Sequence, residues 1–282
     1  MKVLFISDFT LKQRQGGAQV SNSLIIKKGI ELGYEIKEHS HNSSVIDFLT
    51  SYDLVINSNL EMISKIEPAK LGFILGASNS VRLEHDSCSY LSNEDRKTLF
   101  TKSKKNFFLS NYHHSFFKEI YGDYFKNVEI VYDPVDTAVF KKEEKEKIYD
   151  VVYCGYLHPL KGLNHLIHFA RNNPDRNIDV FGWSDSNPNT LFEKEPNITF
   201  RGVCEHDETA LVFKQCNAVF HSPVVREPFC RMIGEALLCG VEEIIGDTSK
   251  IGSYLEFEDV GYEKFKKGCE EASSLFWEGA VV

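Results

Sequence analysis

Short strand-like runs recur along the first half of the chain, and stretches with helical spacing separate them. AQVSNSLIIKKGIELG (18–33), for example, places its apolar residues at helical spacing and stops at Gly33. The strand-like runs are KVLFIS (2–7), YEIKEHS (34–40), YDLVINS (52–58), KLGFILG (70–76), KNFFLS (105–110) and VEIVYDPVD (128–136). Short strands that alternate with helices pair in parallel through crossover connections, so the pattern predicts an α/β sheet.

The run KKEEKEK (141–147) contains no apolar residue, and we predict that it links two domains. After it the alternation restarts, with helices predicted over 160–171, 205–216 and the segment from 226. The predicted strands are YDVVYCG (149–155), NIDVFGW (177–183), NITFRG (197–202), NAVFHSP (217–223) and VEEIIGD (241–247). We therefore expect two Rossmann-like domains, 1–141 and 148–262. The helix-like tail, 263–282, is expected to be able to pack back on the first domain.

This architecture, α/β with two parallel sheets facing an interdomain cleft, indicates where a ligand would bind. In open α/β sheets, ligands bind in the crevice outside the carboxyl ends of the strands. The search for functional residues therefore concerns the loops that follow the predicted strands.

Composition and charge exclude several classes of protein. The 282 residues are 42% hydrophobic and 26% charged, which is typical of a globular protein rather than a disordered one. Residues 1–147 carry as many Lys and Arg as Asp and Glu, so the whole net charge of −9 falls on residues 148–282. A nucleic-acid-binding protein would have a basic face, so we expect no nucleic-acid partner.

Membrane and metal classes are disfavoured as well. No apolar run approaches the roughly 18–20 residues of a membrane span, and the start MKVLFIS turns polar too early for a secretory signal. No C-x-x-C pair occurs, which is typical of reduced thiols and argues against a zinc site. We expect a cytoplasmic protein with no transmembrane segment and no metal, and peripheral membrane association is left open. The seven cysteines are 88, 154, 204, 216, 230, 239 and 269.

The stretch REPFCRMIGEALLCG (226–240) combines a core-like helix with two glutamates. Pro228 suits a first helical position, which would place Glu227 at the helix mouth beside amides that can bind an anion. Glu235 would then lie roughly 10 Å along the helix axis. These proportions match a nucleoside diphosphate sugar, with one carboxylate near sugar hydroxyls and the other near ribose hydroxyls. The rival interpretation treats Glu227 as a helix cap and Glu235 as a surface residue.

Several segments resemble one enzyme family. SPVVREPFCRMIGEALLCGV (222–241) resembles the Ser-x-x-x-Glu-Pro-Phe-Gly-Arg … Glu-Ala-x-x-x-Gly stretch of family 4 glycosyltransferases, which have the GT-B fold. YDVVYCGYLHPLKGLNHLI (149–167) is similar to the family's phosphate segment, G-R-L-x-x-x-K-G-x-x-x-L-I. Similar matches are GGAQVSNSLIIKKGIELGYEI (16–36), VEIVYDPVDTAVF (128–140) and NITFRGVCEHDETALVFKQCNAVFHSP (197–223). The resemblance extends to about residue 250.

The resemblance implies roles for individual residues. Glu227 would contact the transferred sugar, Glu235 the donor ribose, and Lys161 the diphosphate, where its mobile point charge suits a phosphate. A catalytic set of Glu227, Lys161 and His85 follows from it, with His85 near the transferred sugar; a lone histidine can equally be structural. The implied donor-binding residues are Gly16, Gly17, Lys161, Phe229, Cys230, Arg231 and Glu235. The two glycines would let the backbone approach a ligand, or would simply form a turn.

Three positions depart from the family pattern. The arginine of G-R-L is Tyr156, so half of the usual cationic pair is missing, and Arg231 or Arg226 would have to compensate. The glycine of Glu-Pro-Phe-Gly is Cys230, whose side chain could crowd a phosphate. The family's Gly-x-Pro-Val is replaced at 240–243 by Gly-Val-Glu-Glu.

The expected function is transfer of a sugar from a nucleotide-sugar donor to the hydroxyl of a sugar, glycan or lipid-linked acceptor. The resemblance implies retention of anomeric configuration and no metal or other cofactor. The chain has no D-x-D pair, no H-E-x-x-H, no P-loop, no G-x-S-x-G and no G-x-G-x-x-G, so other chemistries fit less well. The alternatives left open are a GT-B-like protein that binds a sugar nucleotide or a partner without turnover, and a sugar-nucleotide epimerase.

Overall fold

The computed structural model of the chain describes residues 1–14, 16–41, 51–66, 68–87 and 91–281. They form two units, Met1–Pro134 with Lys267–Val282, and Val135–Lys266. The predicted linker, 141–147, lies within the second unit. Cys88 lies outside the described residues, and none of the six described cysteines forms a disulfide.

The first unit is built on a parallel sheet. Its described strands are β1 (Lys2–Ile6), β2 (Glu35–His39), β3 (Leu54–Asn57), β4 (Ser80–Leu83), β5 (Asn106–Phe108) and β6 (Val128–Ile130). They are ordered β2-β1-β3-β4-β5-β6, and every neighbouring pair is parallel. The accompanying helices are α1 (Gly17–Glu31), α2 (Glu61–Ile66), α3 (Pro68–Leu75), α4 (Asn93–Lys102) and α5 (Asn111–Tyr121), with a 3₁₀ turn at Gly122–Tyr124.

The second unit has a parallel sheet of its own. Its strands are β7 (Tyr149–Tyr156), β8 (Ile178–Trp183), β9 (Ile198–Gly202), β10 (Cys216–Phe220) and β11 (Glu243–Ile245), in the order β11-β10-β7-β8-β9. Its helices are α6 (Leu163–Asn172), α7 (Pro188–Phe192), α8 (His206–Lys214), α9 (Arg231–Leu238) and α10 (Gly252–Val260), with 3₁₀ turns at Pro159–Lys161 and Thr248–Lys250. The predicted α/β class with two parallel sheets is confirmed.

The last helix, α11 (Tyr262–Ala280), begins in the second unit and belongs to the first from Lys267 onward. In the first unit its Trp277 is buried and donates a hydrogen bond of 2.7 Å to the carbonyl of Ile25 on α1. Trp277 also lies directly against Gly29, where an added Cβ would come within 2.4 Å of its ring. None of the helices among the described residues is long and apolar enough to cross a membrane.

One predicted strand is wrong, and one strand escaped prediction. KLGFILG (70–76) lies mostly in helix α3, which buries Leu71 and Ile74 and leaves Phe73 69% exposed. A short apolar run does not by itself distinguish a strand from a helix, and burial three residues apart is the helical period. The strand that escaped prediction is β4. Its sequence, SVRL, contains the fully buried Arg82 and so lacks an apolar pattern.

In each sheet the direction of winding reverses at one place. In the first sheet this place lies between β1 and β3, and in the second sheet between β7 and β10. At such a switch point the loops leave the carboxyl ends of two neighbouring strands in opposite directions, which opens a crevice for ligands. The loops after β7 and β10 carry Lys161 and Glu227, and the loop after β1 leads to Gly16.

Candidate functional site

Lys161 ends the 3₁₀ turn between β7 and α6, and the local sequence explains this turn. The side chain of His158 caps it by accepting a hydrogen bond from the Leu160 amide (3.2 Å). Gly162 follows with a φ of 90°, and an added Cβ there would come within 2.2 Å of the Ser222 carbonyl oxygen. Only glycine fits such a position, because the backbone is left-handed and another backbone touches it. Lys161 is thereby held beside the loop that follows β10.

Glu227 lies in an extended segment, and not at a helix mouth as predicted. Its amide donates to the carbonyl of Lys250 (2.8 Å), and its carbonyl accepts from the Gly252 amide (3.0 Å). It thus forms a parallel bridge with Ile251. Helix α9 begins only at Arg231, so the prediction of Pro228 as first helical residue is wrong. The reason is this long-range pairing, which holds Glu227 in a bridge, so that the chain bends at Pro228 and Phe229 before the helix begins.

Cys230 is the residue that turns the chain into α9. It has a φ of 66° and precedes the helix as its cap, with the amides of Ile233 and Gly234 donating to its carbonyl. The left-handed conformation costs a non-glycine residue about 1–2 kcal/mol. This explains why a glycine suits the position, and why a cysteine there is a strained substitute.

Lys161 and Glu227 form a direct ion pair. The Lys161 Nζ lies 2.7 Å from Oε1 and 3.0 Å from Oε2 of Glu227. The side chain of Lys161 is 42% exposed, whereas that of Glu227 is only 9% exposed. Burial alone would raise the pKa of Glu227, but Lys161 and His221 lower it to about 2. The result is a buried carboxylate whose exposed cation can reach solvent or a ligand.

Glu235 is buried on α9 and lies close to two nitrogen-bearing side chains, those of Arg231 and His206. The Arg231 Nε lies 2.7 Å from its Oε1, and the His206 Nε2 lies 3.3 Å from the same oxygen. Because Glu235 is buried, the interpretation of it as a surface residue is wrong. Arg231 is buried as well, and its guanidinium is directed at Glu235.

Phe229 anchors the segment instead of offering a side chain to a ligand. Its ring is buried and stacks almost parallel to that of Phe265, with the centroids 5.9 Å apart. It also contacts Gly234, where an added Cβ would come within 2.9 Å of the ring. Its carbonyl accepts from the Ser253 amide. The ring of Phe229 is therefore part of the core, and its expected role in donor binding stays a prediction.

Tyr156, which replaces the family's arginine, lies in an aromatic stack. Its ring lies between Trp183, at a centroid distance of 4.0 Å, and His158, at 5.1 Å, both nearly parallel to it. Its hydroxyl is hydrogen-bonded to the carboxylate of Asp185. Tyr156 therefore brings no positive charge to the end of β7.

The first unit places its two expected glycines at the start of α1. Gly16 is the cap of this helix and Gly17 its first residue, which is exposed. The neighbouring loop residue Asp8 accepts hydrogen bonds of 2.9 Å from the amides of Met62 and Ile63 at the start of α2. The glycines thus lie at the switch point of the first sheet, next to loops held by side-chain caps.

His85 follows β4 in the same unit and is buried. Its Nε2 lies 3.0 Å from the Asn22 Oδ1 on α1, and its Nδ1 lies 3.9 Å from the Asp133 Oδ1. Burial lowers the pKa of His85, although Asp133 and Asp86 oppose this shift, so the ring is neutral near pH 7. Asn22 also accepts from the Ser58 hydroxyl (3.0 Å).

A buried ion pair supports this region, and the sequence did not single it out. Arg82 donates to the Glu84 Oε2 through Nε (3.2 Å) and Nη2 (2.9 Å), and its Nη1 donates to the Ser58 carbonyl. Burial alone would raise the pKa of Glu84, but Arg82 and Arg96 lower it to about 2. Nearby, burial together with Asp86 and Glu84 raises the pKa of Glu61 to about 8.

His221 is a further site residue that sequence reasoning missed. It directly follows β10, is buried, and has its Nε2 3.8 Å from the Glu227 Oε1. Nothing in the segment that resembles the glycosyltransferases gives this position a role. A weak signal was available, because a histidine at the carboxyl end of a strand stands where ligands bind.

The structure thus pairs Lys161 with Glu227 and Arg231 with Glu235, all four in the second unit, while Gly16, Gly17 and His85 belong to the first unit. A scan against family models finds no match, and a search of curated proteins finds none either.

Solved structures do match. The chain is similar to HepE from Anabaena, solved with UDP and glucose (15% identity, TM-score 0.62, 100% of this chain and 96% of that one). It is also similar to AviGT4, a glycosyltransferase of avilamycin A biosynthesis (13%, 0.60, 99% and 97%), and to sucrose-phosphate synthase from Thermosynechococcus elongatus (12%, 0.69, 99% and 96%). At these identities the likeness concerns the fold, and the chain has the GT-B fold.

Proposed function

We propose that the chain is a glycosyltransferase that moves a sugar from a nucleoside diphosphate sugar to an acceptor hydroxyl, with retention and without a metal. The observation that carries the proposal is the Lys161–Glu227 pair at the switch point of the second sheet. An exposed ammonium beside a buried carboxylate offers one group to phosphate and the other to sugar hydroxyls.

The proposed donor site has three parts. Lys161 would neutralise the diphosphate, Glu227 would accept hydrogen bonds from the transferred sugar, and Glu235 would hold the ribose hydroxyls. Arg231, whose Nε lies 2.7 Å from the Glu235 Oε1, would hold that carboxylate in place. Fixed charges aimed at a leaving group are a strong source of catalysis, because they need no reorganisation during the reaction.

In the proposed reaction the bond between the anomeric carbon and the diphosphate oxygen breaks. A bond from the acceptor oxygen forms on the same face, and the acceptor proton leaves with the released diphosphate. Lys161 would stabilise the negative charge that develops on this diphosphate. In the first unit, His85 is proposed to lie near the transferred sugar as a neutral hydrogen-bonding group, since burial lowers its pKa.

A second candidate function is binding of a sugar nucleotide without turnover. The specific observation in its favour is Tyr156, which is engaged by Trp183, His158 and Asp185 where the family pattern has a phosphate-binding arginine. With one cation fewer, the donor could bind while its leaving group is stabilised less.

A thermal-shift screen of UDP-, GDP-, ADP- and TDP-sugars, followed by a donor-hydrolysis assay on each hit, separates the candidates. We expect a shift with one donor and slow release of the nucleoside diphosphate that added EDTA does not abolish. The anomeric configuration of a transfer product, read by NMR, then tests retention. Binding without release would favour the second candidate, and the absence of any shift would contradict both.

A further inference from the structure

His221 is buried, and the donor site proposed above assigns it no role. His221 is only 4% exposed, and neither ring nitrogen makes a hydrogen bond of regular length and angle with any residue that the structure describes. Buried polar nitrogens without a partner are rare, and each one calls for an explanation. The nearest carboxylate oxygen recorded for the ring is the Glu227 Oε1, at 3.8 Å from Nε2.

The groups close to His221 include an aromatic ring, a thiol and a carboxylate. Tyr153 of β7 faces the ring at a centroid distance of 6.5 Å, while Cys230 and Glu227 approach from the segment before α9. The backbone of His221 is fixed to β11, because its amide donates to the Ile245 carbonyl. Burial lowers the pKa of His221, but Cys230 and Glu227 raise it, to about 9. The imidazole therefore carries a positive charge at neutral pH.

Lys161 cannot bind Glu227 and a diphosphate equally well at the same time. Its ammonium bonds both oxygens of Glu227, and a diphosphate in the proposed site would compete for the same donors. Withdrawal of Lys161 would leave a carboxylate that is almost fully buried without its main cation. Breaking a buried ion pair in this way is strongly unfavourable unless another charge takes over.

We propose that His221 is this second counter-charge: it keeps Glu227 ionised when Lys161 moves to a phosphate. His221 is thus a positioning residue that acts through Glu227 and touches no ligand itself. The transfer of Lys161 to phosphate rests on the proposed function, whereas the sharing of Glu227 between two cations is a property of the chain alone. The two parts can therefore be tested separately.

The first test needs no ligand. Lys161→Met, His221→Gln and the double variant are compared by thermal unfolding at pH 7.5, in the wild-type and the Glu227→Gln backgrounds. We expect the double variant to lose about 6 °C or more beyond the sum of the single losses, because a buried carboxylate then lacks both cations. In the Glu227→Gln background the two losses should be additive. Additive losses in both backgrounds would overturn the inference.

The second test uses UDP as the probe and measures its dissociation constant by calorimetry from pH 7.5 to 9.5. The wild type should bind UDP more weakly as the pH rises through the pKa of His221, because Glu227 then retains Lys161. His221→Gln should bind about tenfold more weakly at pH 7.5 and should lose this part of the pH dependence. The control is His168→Gln, which removes an exposed histidine of α6 and should behave like the wild type.

The NMR titration of the His221 ring provides a readout that does not depend on the folding of any variant. A ring that is charged at pH 7.5 supports the inference, and a neutral ring overturns it. If the wild type binds no UDP, ADP or GDP while the unfolding losses are coupled, the proposed function fails and the role of His221 stands. If UDP binds and the losses are additive, the proposed function stands and His221 is only structural.

Discussion

The Lys161–Glu227 pair of the second unit and the Arg82–Glu84 pair of the first hold their carboxylates in the same state. In both, cations lower the pKa of a buried glutamate to about 2. The cations differ, because Lys161 is 42% exposed while Arg82 is 0% exposed and also bonds a carbonyl. The exposed Lys161 can leave Glu227 and bind a ligand, whereas the buried Arg82 cannot leave Glu84 in this way. A perturbed pKa alone therefore does not distinguish a site from a structural clamp, but the exposure of the partner does.

The largest expected effect is on stability, from Arg82→Met. It leaves Glu84 buried without its two hydrogen bonds from Arg82, so the first unit should lose about 3–5 kcal/mol. Lys161→Met should cost the second unit about 1 kcal/mol or less, because the exposed ammonium is screened by solvent. The two tryptophans, Trp277 in the first unit and Trp183 in the second, can report the units separately during urea unfolding.

The matched control for Arg82→Met is the double variant Arg82→Met with Glu84→Gln. It should recover part of the loss, since the uncompensated charge is gone. Equal losses from Arg82→Met and Lys161→Met would remove the distinction between the two pairs.

The next effect concerns ligand affinity. Here the Lys161–Glu227 pair should matter more than the Arg82–Glu84 pair, the reverse of their order for stability. Lys161→Ala should raise the dissociation constant of UDP or another bound nucleoside diphosphate about 10- to 100-fold, the range for a lost hydrogen bond to a charged group of roughly 1.5–3 kcal/mol. Calorimetry measures this change. Lys250→Ala is the control, because that lysine pairs with Asp247 in the neighbouring loop. A Lys161→Ala protein that binds as tightly as the wild type would exclude the phosphate role.

A third prediction separates the two glutamates of the donor site. Glu235→Gln should raise the dissociation constants of free nucleotide and nucleotide sugar alike, because the ribose is common to both. Glu227→Gln should leave free-nucleotide binding unchanged or slightly tighter, since it releases Lys161, and should reduce turnover. Calorimetry and steady-state kinetics together measure this contrast. If both variants bind and turn over like the wild type, neither carboxylate contacts the donor.

A fourth prediction concerns the pH dependence of the first unit. The pKa of Glu61 is raised from 4.5 to about 8, so its contribution favours folding below pH 4.5 and is lost as the pH rises towards 8. Glu61→Gln should therefore gain stability over the wild type between pH 5 and 8.5. Thermal midpoints at these two pH values test this, with the exposed Glu94→Gln as the control. A constant difference between Glu61→Gln and wild type would contradict the buried, protonated state.

The smallest effect is expected at Cys230. Cys230→Gly removes the left-handed strain of about 1–2 kcal/mol but adds disorder to the unfolded chain, so a net gain of about 0.5 kcal/mol is expected. Cys230→Ala keeps the strain and should show no gain. Urea unfolding of both variants provides the comparison, and a stabilising alanine would mean that the thiol itself is the unfavourable group.

Much of the fold followed from periodicity. The runs at 2–7, 105–110 and 149–155, for instance, lie at β1, β5 and β7. The error at 70–76 has a physical cause, because so short an apolar run is compatible with both periods and only the tertiary structure decides between them. Strand β4 was missed for the opposite reason, since its central Arg82 is buried by pairing with Glu84 rather than by apolarity.

The sequence predicted which residues form the candidate site, but it did not predict how those residues are arranged. Lys161, Glu227 and Glu235 were named from the sequence, and the first two meet in the structure. The start of α9 was misplaced because a bridge to Ile251, far along the chain, overrides the local preference of Pro228. Local signals contain no information on such pairings. The proximity of His221 to Glu227 was hidden in the same way, although its place at the end of a predicted strand was a weak signal.

The return of α11 to the first unit has a consequence for biosynthesis. The core of that unit includes Trp277, packed on Gly29 and hydrogen-bonded to Ile25, so it cannot be completed until helix α11 has left the ribosome. The second unit, Val135–Lys266, is complete in the nascent chain earlier, although it follows in the sequence. Domains fold as units during synthesis. The order of folding is therefore expected to be the reverse of the order of translation, with the N-terminal unit finishing last.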